Sequence, residues 1–171
     1  MNTIIRATVK DAKLLVNIGK TSFIESHGMS ASKEDIDAYV SLKFNETTFT
    51  EELQDTKNHF YIIYHNETAI GYSKIIFDVP HKNIDYKNVT KLERLYLLSD
   101  YHHLKLGLEL FNFNVQISKK HQQAGMWLFV WIENAKAIKF YNNFGFKIIG
   151  SHDFEISKTH SNPNHQMLLT Y

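Results

Sequence analysis

Residues 93–120 constrain the fold more than any other stretch, because an apolar run, a short polar turn and a long helical pattern follow one another without a gap. Residues 93–98 (ERLYLL) are apolar enough for a core strand. Residues 99–105 are too polar and too few for anything but a turn, and residues 106–120 carry apolar side chains at helical spacing. A helix that starts straight out of such a turn presents several backbone N–H groups with no intrahelical acceptor, and those groups can hold a phosphate.

The rest of the chain reads as elements arranged around that unit. Residues 3–8 predict a first strand and residues 11–25 a helix with Ala12, Leu15, Ile18, Ser22 and Phe23 on one face. Ser32 followed by Asp35 reads as an N-cap with an acidic third position, which starts a second helix over 33–44. Thr48 with Glu51 repeats the signature for a short third helix ending near Asp55. The period then changes. Residues 60–64 and 69–77 are β-rich runs around the polar tetrad His65, Asn66, Glu67 and Thr68, which predicts a hairpin. Residues 78–88 hold Pro80 and read as loop. Residues 126–132 (MWLFVWI) form a continuous apolar run, as expected of a strand buried on both faces. A helix over 135–144 stops at Gly145 in the C′ position. Strands over 146–152 and 166–170 close the chain around a polar loop at 157–164. The order predicts an α/β (α+β) fold: a mixed, mostly antiparallel central sheet of about seven strands, with helices on both faces.

Length and composition limit the choices further. The 171 residues suit one domain spanning 1–171, and 43% apolar content is enough to bury a core. Nineteen Lys plus Arg against eighteen Asp plus Glu leaves a net charge of +1, too little for a protein dominated by nucleic-acid backbone contacts. With no cysteine there are no disulfides, no thiolate metal ligands and no cysteine nucleophile. Ten histidines include no H-x-x-x-H pair, so no metal cofactor is expected. The longest apolar run falls far short of the ~20 residues a membrane helix needs. These features predict a soluble cytoplasmic protein with neither nucleic acid nor membrane among its partners.

Two pieces carry a resemblance. One is the turn YHHLKLGLEL at 101–110; the other is ENAKAIKFYNNFGF at 133–146, which contains Asn134-x-x-Ala137-x-x-Phe140-Tyr141-x-x-x-Gly145-Phe146. Together they resemble the GNAT superfamily of acetyl-CoA-dependent N-acetyltransferases. That family's phosphate-binding signature is Gln or Arg, two residues, Gly, one residue, then Gly or Ala. Its places fall here on His102, Lys105 and Gly107, and only Gly107 matches. The second piece fits the family's other acetyl-CoA motif closely. Glu52-Leu53 and residues 71–74 are similar to the bacterial spermidine/spermine acetyltransferase branch.

The resemblance implies acetyl-CoA as cosubstrate, held by Leu95, Tyr96 and Leu97 along the central strand. Further contacts are implied from His102, His103, Leu104, Lys105, Leu106, Gly107 and Leu108 in the turn and first helical residues, and from Asn134, Lys136 and Tyr141 in the second piece. It also implies catalytic roles. Tyr141 would protonate the departing thiolate, whose reference pKa is about 8.5 against about 10 for a phenol. Glu93 would take a proton from the acceptor amine through water, since an ammonium has no lone pair for attack. The backbone N–H of Leu97 would hold the oxyanion.

For the acceptor, residues 25–55 carry eight acidic against two basic side chains, while residues 101–143 carry five basic against two acidic. Opposite fields suit an anionic cosubstrate and a cationic amine such as a polyamine. Three function classes stay open at this level: transfer to a small-molecule amine, a non-catalytic acyl-CoA-binding or sensing module, and a protein or peptide N-acetyltransferase. The helix over 106–120 is apolar on two sides, so its second face suits a neighbouring helix or the partner subunit of a homodimer.

Overall fold

The computed structural model describes residues 1–171. Seven strands form one sheet in the order β1-β2-β3-β4-β5-β7-β6. They are β1 Asn2–Arg6, β2 Asn58–His65, β3 Thr68–Ile76, β4 Val89–Leu97, β5 Gly125–Trp131, β6 Lys147–Ser157 and β7 His160–Thr170. Five α-helices accompany them: α1 Ala12–His27, α2 Lys33–Lys43, α3 Glu46–Gln54, α4 Leu106–Lys120 and α5 Ala135–Asn143. Pairing is antiparallel for β1 with β2, β5 with β7 and β6 with β7, and parallel for β4 with β5. The mixed, mostly antiparallel sheet expected from the sequence is therefore present. No helix is long and apolar enough to cross a membrane.

Two compact units divide the chain. The first joins Met1–Ile75 to Arg94–Asn114, and the second joins Ile76–Glu93 to Val115–Tyr171. In the first unit the β2–β3 hairpin turns on Asn66 and Glu67, both at positive φ (46° and 65°), as a two-residue type I′ connection requires. Its core is aromatic. Phe44 lies 5.3 Å from Phe23 and 6.0 Å from Phe49, Phe49 lies 6.2 Å from Phe60, and Tyr72 meets Tyr96 edge-on at 5.5 Å. In the second unit Ile84, Val89 and Trp127 are buried together, with Val79, Tyr86, Phe129, Ile149 and Leu168 packed around them. The Trp127 indole N–H donates to the Val79 carbonyl at 2.9 Å, which ties the 78–88 loop down onto β5.

Four local expectations change. The first strand ends at Arg6, because the Asp11 carboxylate accepts the Thr8 N–H at 2.7 Å and a 3-10 turn over Val9–Asp11 begins there. The third helix is capped by Asn45, not Thr48: the Asn45 side-chain oxygen accepts the Thr48 N–H at 2.9 Å, so the helix starts three residues early. Residues 99–105, read as a plain turn, are wound into a 3-10 helix over Ser99–Leu104. Residues 157–164, read as loop, are mostly strand, since β6 and β7 stay paired from Lys147↔Leu168 to Ser157↔His160. Polar side chains on a ladder exposed on one face masked the pairing.

Candidate active site

β4 supplies the first part of the site. Its ladder with β5 covers only Val89, Thr90 and Lys91, the first three of its nine residues. At its far end the Leu98 N–H donates to the Ile70 carbonyl of β3 at 2.9 Å. Successive amides along a strand face opposite edges, so the Leu97 N–H is turned away from β3. The same edge carries the Leu97 carbonyl, which lies 2.9 Å from His102 Nε2. A carbonyl can only accept, so that ring nitrogen bears the hydrogen and the tautomer of His102 is set. Gly71 lets β3 come this close. A Cβ there would stand 2.5 Å from the Tyr96 carbonyl oxygen and 3.2 Å from Leu97 Cα, so any other residue would push the end of β4 aside.

The turn after β4 is anchored from α1. The Glu25 carboxylate accepts the Ser99 N–H at 3.0 Å and the Ser99 hydroxyl at 2.9 Å, a link across 74 residues that local patterns could not reveal. The 3-10 segment carries His102 and His103 on its exposed surface with Leu104, and then reaches Lys105. Lys105 adopts φ +58°, the left-handed region, at the place where the resemblance puts glycine. The backbone keeps the glycine conformation although the side chain has changed. Lys105 also stands where an N-cap would, and an ammonium has no lone pair with which to accept an amide.

The first intrahelical bonds of α4 run from the Leu108 and Glu109 N–H groups to the Lys105 carbonyl. The N–H groups of Leu106 and Gly107 precede them and have no acceptor in the protein, at the positive end of a 15-residue helix. A Cβ on Gly107 would meet only Leu97 Cδ2, at 3.8 Å, which is ordinary contact. Packing therefore does not demand glycine at 107, and the space it leaves lies over open amides. The exposed Lys105 side chain supplies a cation on the same turn. The residues present fit a pyrophosphate.

In the second unit, Asn134 is the N-cap of α5: its side-chain oxygen accepts the Ala137 N–H at 3.1 Å. That bond accounts for Asn134 on structural grounds, which helical periodicity alone did not. Lys136 is exposed in the first turn. Tyr141 is partly buried, with its ring 5.3 Å from both Phe140 and Phe146. Gly145 closes the helix at φ +88°. Glu93 is also partly buried, and its carboxylate lies 3.9 Å from Lys91 Nζ.

A partly buried ion cluster in the first unit was not apparent from the sequence. Glu52 of α3 receives two hydrogen bonds from Arg94, both 2.9 Å, and a third from Lys74 at 2.9 Å. Burial alone would raise the Glu52 carboxyl, but Arg94 and Lys74 outweigh it and hold the group below the usual carboxylate range. Glu52, Lys74 and Arg94 thus act as a brace between α3, β3 and β4.

The sequence profile of the acetyltransferase (GNAT) family matches residues 23–146. An uncharacterised N-acetyltransferase of Lactobacillus delbrueckii subsp. lactis is 27% identical over 152 residues, covering 88% of this chain and 87% of the relative. A protein named spermidine N(1)-acetyltransferase, from Thermoplasma acidophilum, is 25% identical over 143 residues, covering 84% of this chain and 86% of the relative. In fold, the chain is similar to an N-acetyltransferase of Thermoplasma acidophilum crystallised in complex with coenzyme A. The TM-score is 0.79 at 22% identity, over 100% of this chain and 99% of that one.

Proposed function

Because the chain belongs to the GNAT family and is an N-acetyltransferase, we propose that it transfers the acetyl group of acetyl-CoA to a primary amine of a small molecule, by direct attack in a ternary complex. The observation that carries this reading is the start of α4, where the Leu106 and Gly107 amides are open and Gly107 leaves room above them. The thioester supplies an activated acetyl group. His102, His103, Leu104, Lys105 and Leu108 frame the anion site, and Leu95, Tyr96 and Leu97 offer a strand edge along which an extended amide chain can pair.

The chain's own residues then divide the proton work. Glu93, through a water, accepts the proton that the acceptor nitrogen loses as its lone pair attacks the carbonyl carbon. The Leu97 N–H donates to the oxygen that gains charge. Tyr141 gives its proton to the departing thiolate and regains one from solvent. Polyamines are the first acceptors to try, given the acidic surplus in residues 25–55 and the relative named for spermidine. A mass-spectrometric screen of primary amines with acetyl-CoA tests the reading. An acetylated amine with stoichiometric free thiol is expected; absence of transfer to every amine overturns it.

A further inference from the structure

The face of the second unit around Glu93 contains an ammonium site with an occupant already in it. Lys91 and Trp127 are register partners on β4 and β5. The Lys91 ammonium lies 5.4 Å from the centroid of the Trp127 ring and 5.9 Å from that of Phe129, both within cation–π range. It also lies 3.9 Å from the Glu93 carboxylate. The two rings stand nearly perpendicular, at 84° and 5.2 Å, so they form two walls of a corner. His152 stacks on Phe129 at 4.4 Å and 23°, and His81 lies 5.3 Å from Trp127. Burial, with Lys82, His152 and Lys91 nearby, disfavours the charged form of His81, so the corner adds no cation of its own from that side.

The site is not sealed. The side chains of Lys91 and Glu93 keep 26% and 28% of their exposure, so solvent and solutes reach both. A lysine side chain is a four-methylene arm ending in an ammonium, which is chemically an aminobutyl group. Lys91 therefore shows how a primary alkylammonium sits against Trp127, Phe129 and Glu93. Its own occupancy competes with any such group arriving from solution.

We propose that Trp127, Phe129 and Glu93 form the recognition site for an alkylammonium arm of the acceptor, and that Lys91 is an internal competitor which the acceptor displaces. That the incoming group is the acceptor rests on the acetyl-transfer reading; the ammonium site itself does not. Displacement leaves the Glu93 carboxylate, the group argued to take the proton, facing a substrate cation in place of Lys91. Lys91 thereby sets how much acceptor is needed.

The test is calorimetric binding of putrescine and of tetramethylammonium to the full chain, as wild type, Lys91→Met and Lys91→Met/Phe129→Leu. Lys91→Met is expected to bind both probes at least about tenfold more tightly than wild type, since one cation–π contact with its ion-pair partner is freed. The added Phe129→Leu change is expected to remove most of that gain. Equal affinity in wild type and Lys91→Met, or full retention in the double variant, would overturn the proposal. Lys91→Gln repeats the comparison should the methionine variant not fold. Acetyl transfer by the wild type without probe binding in Lys91→Met sinks the ammonium site alone. Probe binding in Lys91→Met without transfer to any amine supports the site and sinks the enzymatic reading alone.

Discussion

The two helices that follow the motif pieces begin in opposite ways. At α5 the chain closes its own end, with Asn134 accepting the Ala137 N–H. At α4 it does not, because the residue before the helix is a left-handed lysine and the Leu106 and Gly107 amides are left open. A capped end stabilises the protein by itself; an uncapped end beside a glycine that packing does not require is available to an anion. The piece with the better motif match is thus the one whose N-terminal residue has a structural duty. The piece with the poorer match keeps a left-handed backbone at Lys105, where the motif has glycine.

This contrast can be pressed from its largest consequence downward. If α5 contributes to catalysis through Tyr141 and not through its N-terminus, Tyr141→Phe should lower kcat roughly 10²- to 10⁴-fold, the span typical of general acids. Steady-state rates on the best acceptor measure it, and an unchanged kcat breaks the assignment.

A third helix end shows what closure demands of charge. His27 in the last turn of α1 stacks on Phe23 at 4.9 Å, and burial lowers its pKa to about 4, against the Phe23 carbonyl, which raises it. The folded state holds this imidazole neutral, so the unfolded chain takes up the proton first. Stability is then lost as the pH falls from about 6.5 toward 4, by about 3 kcal/mol in all. Melting temperatures across that window should fall in the wild type, and the slope should flatten in His27→Phe.

Smaller effects separate the two N-termini directly. Asn134→Ala should cost about 1 kcal/mol in denaturant unfolding, as loss of an N-cap does. Its KM for acetyl-CoA should rise less than that of Gly107→Ala. Lys105→Gly should gain up to about 1 kcal/mol by relieving the left-handed conformation of a residue with a Cβ. It should also raise the KM for acetyl-CoA a few-fold, since the cation is gone. A loss of stability in Lys105→Gly would contradict the conformational account.

Much of the fold was legible because hydrophobic period and capping chemistry act locally. The helix over 106–120 and the Gly145 stop lie where the pattern puts them, whereas the strand read over 93–98 is the end of a longer one, Val89–Leu97. What escaped was set by competition or by distance along the chain. Asn45 outcompetes Thr48 as a cap because both can serve and only the surrounding chain decides. The Glu52–Arg94 pair spans 42 residues and the Glu25–Ser99 link 74, so nothing local marks either. The conformation of Lys105 was hidden for another reason. A lysine carries no signal for positive φ, and only the open helix start behind it explains why the chain accepts that strain. Glu93, Leu97 and Tyr141 were singled out by the resemblance alone, whereas the direction of the Leu97 amide needed the Leu98–Ile70 bond.

The central claim is that backbone amides at the start of α4, with the space over Gly107, hold the cosubstrate's phosphates. Calorimetric titration of coenzyme A into wild type and Gly107→Ala tests it most directly. The account predicts binding at least tenfold weaker in the variant, a loss of about 1.4 kcal/mol or more, with a melting temperature no lower than that of the wild type. Equal affinity in the two proteins would contradict it.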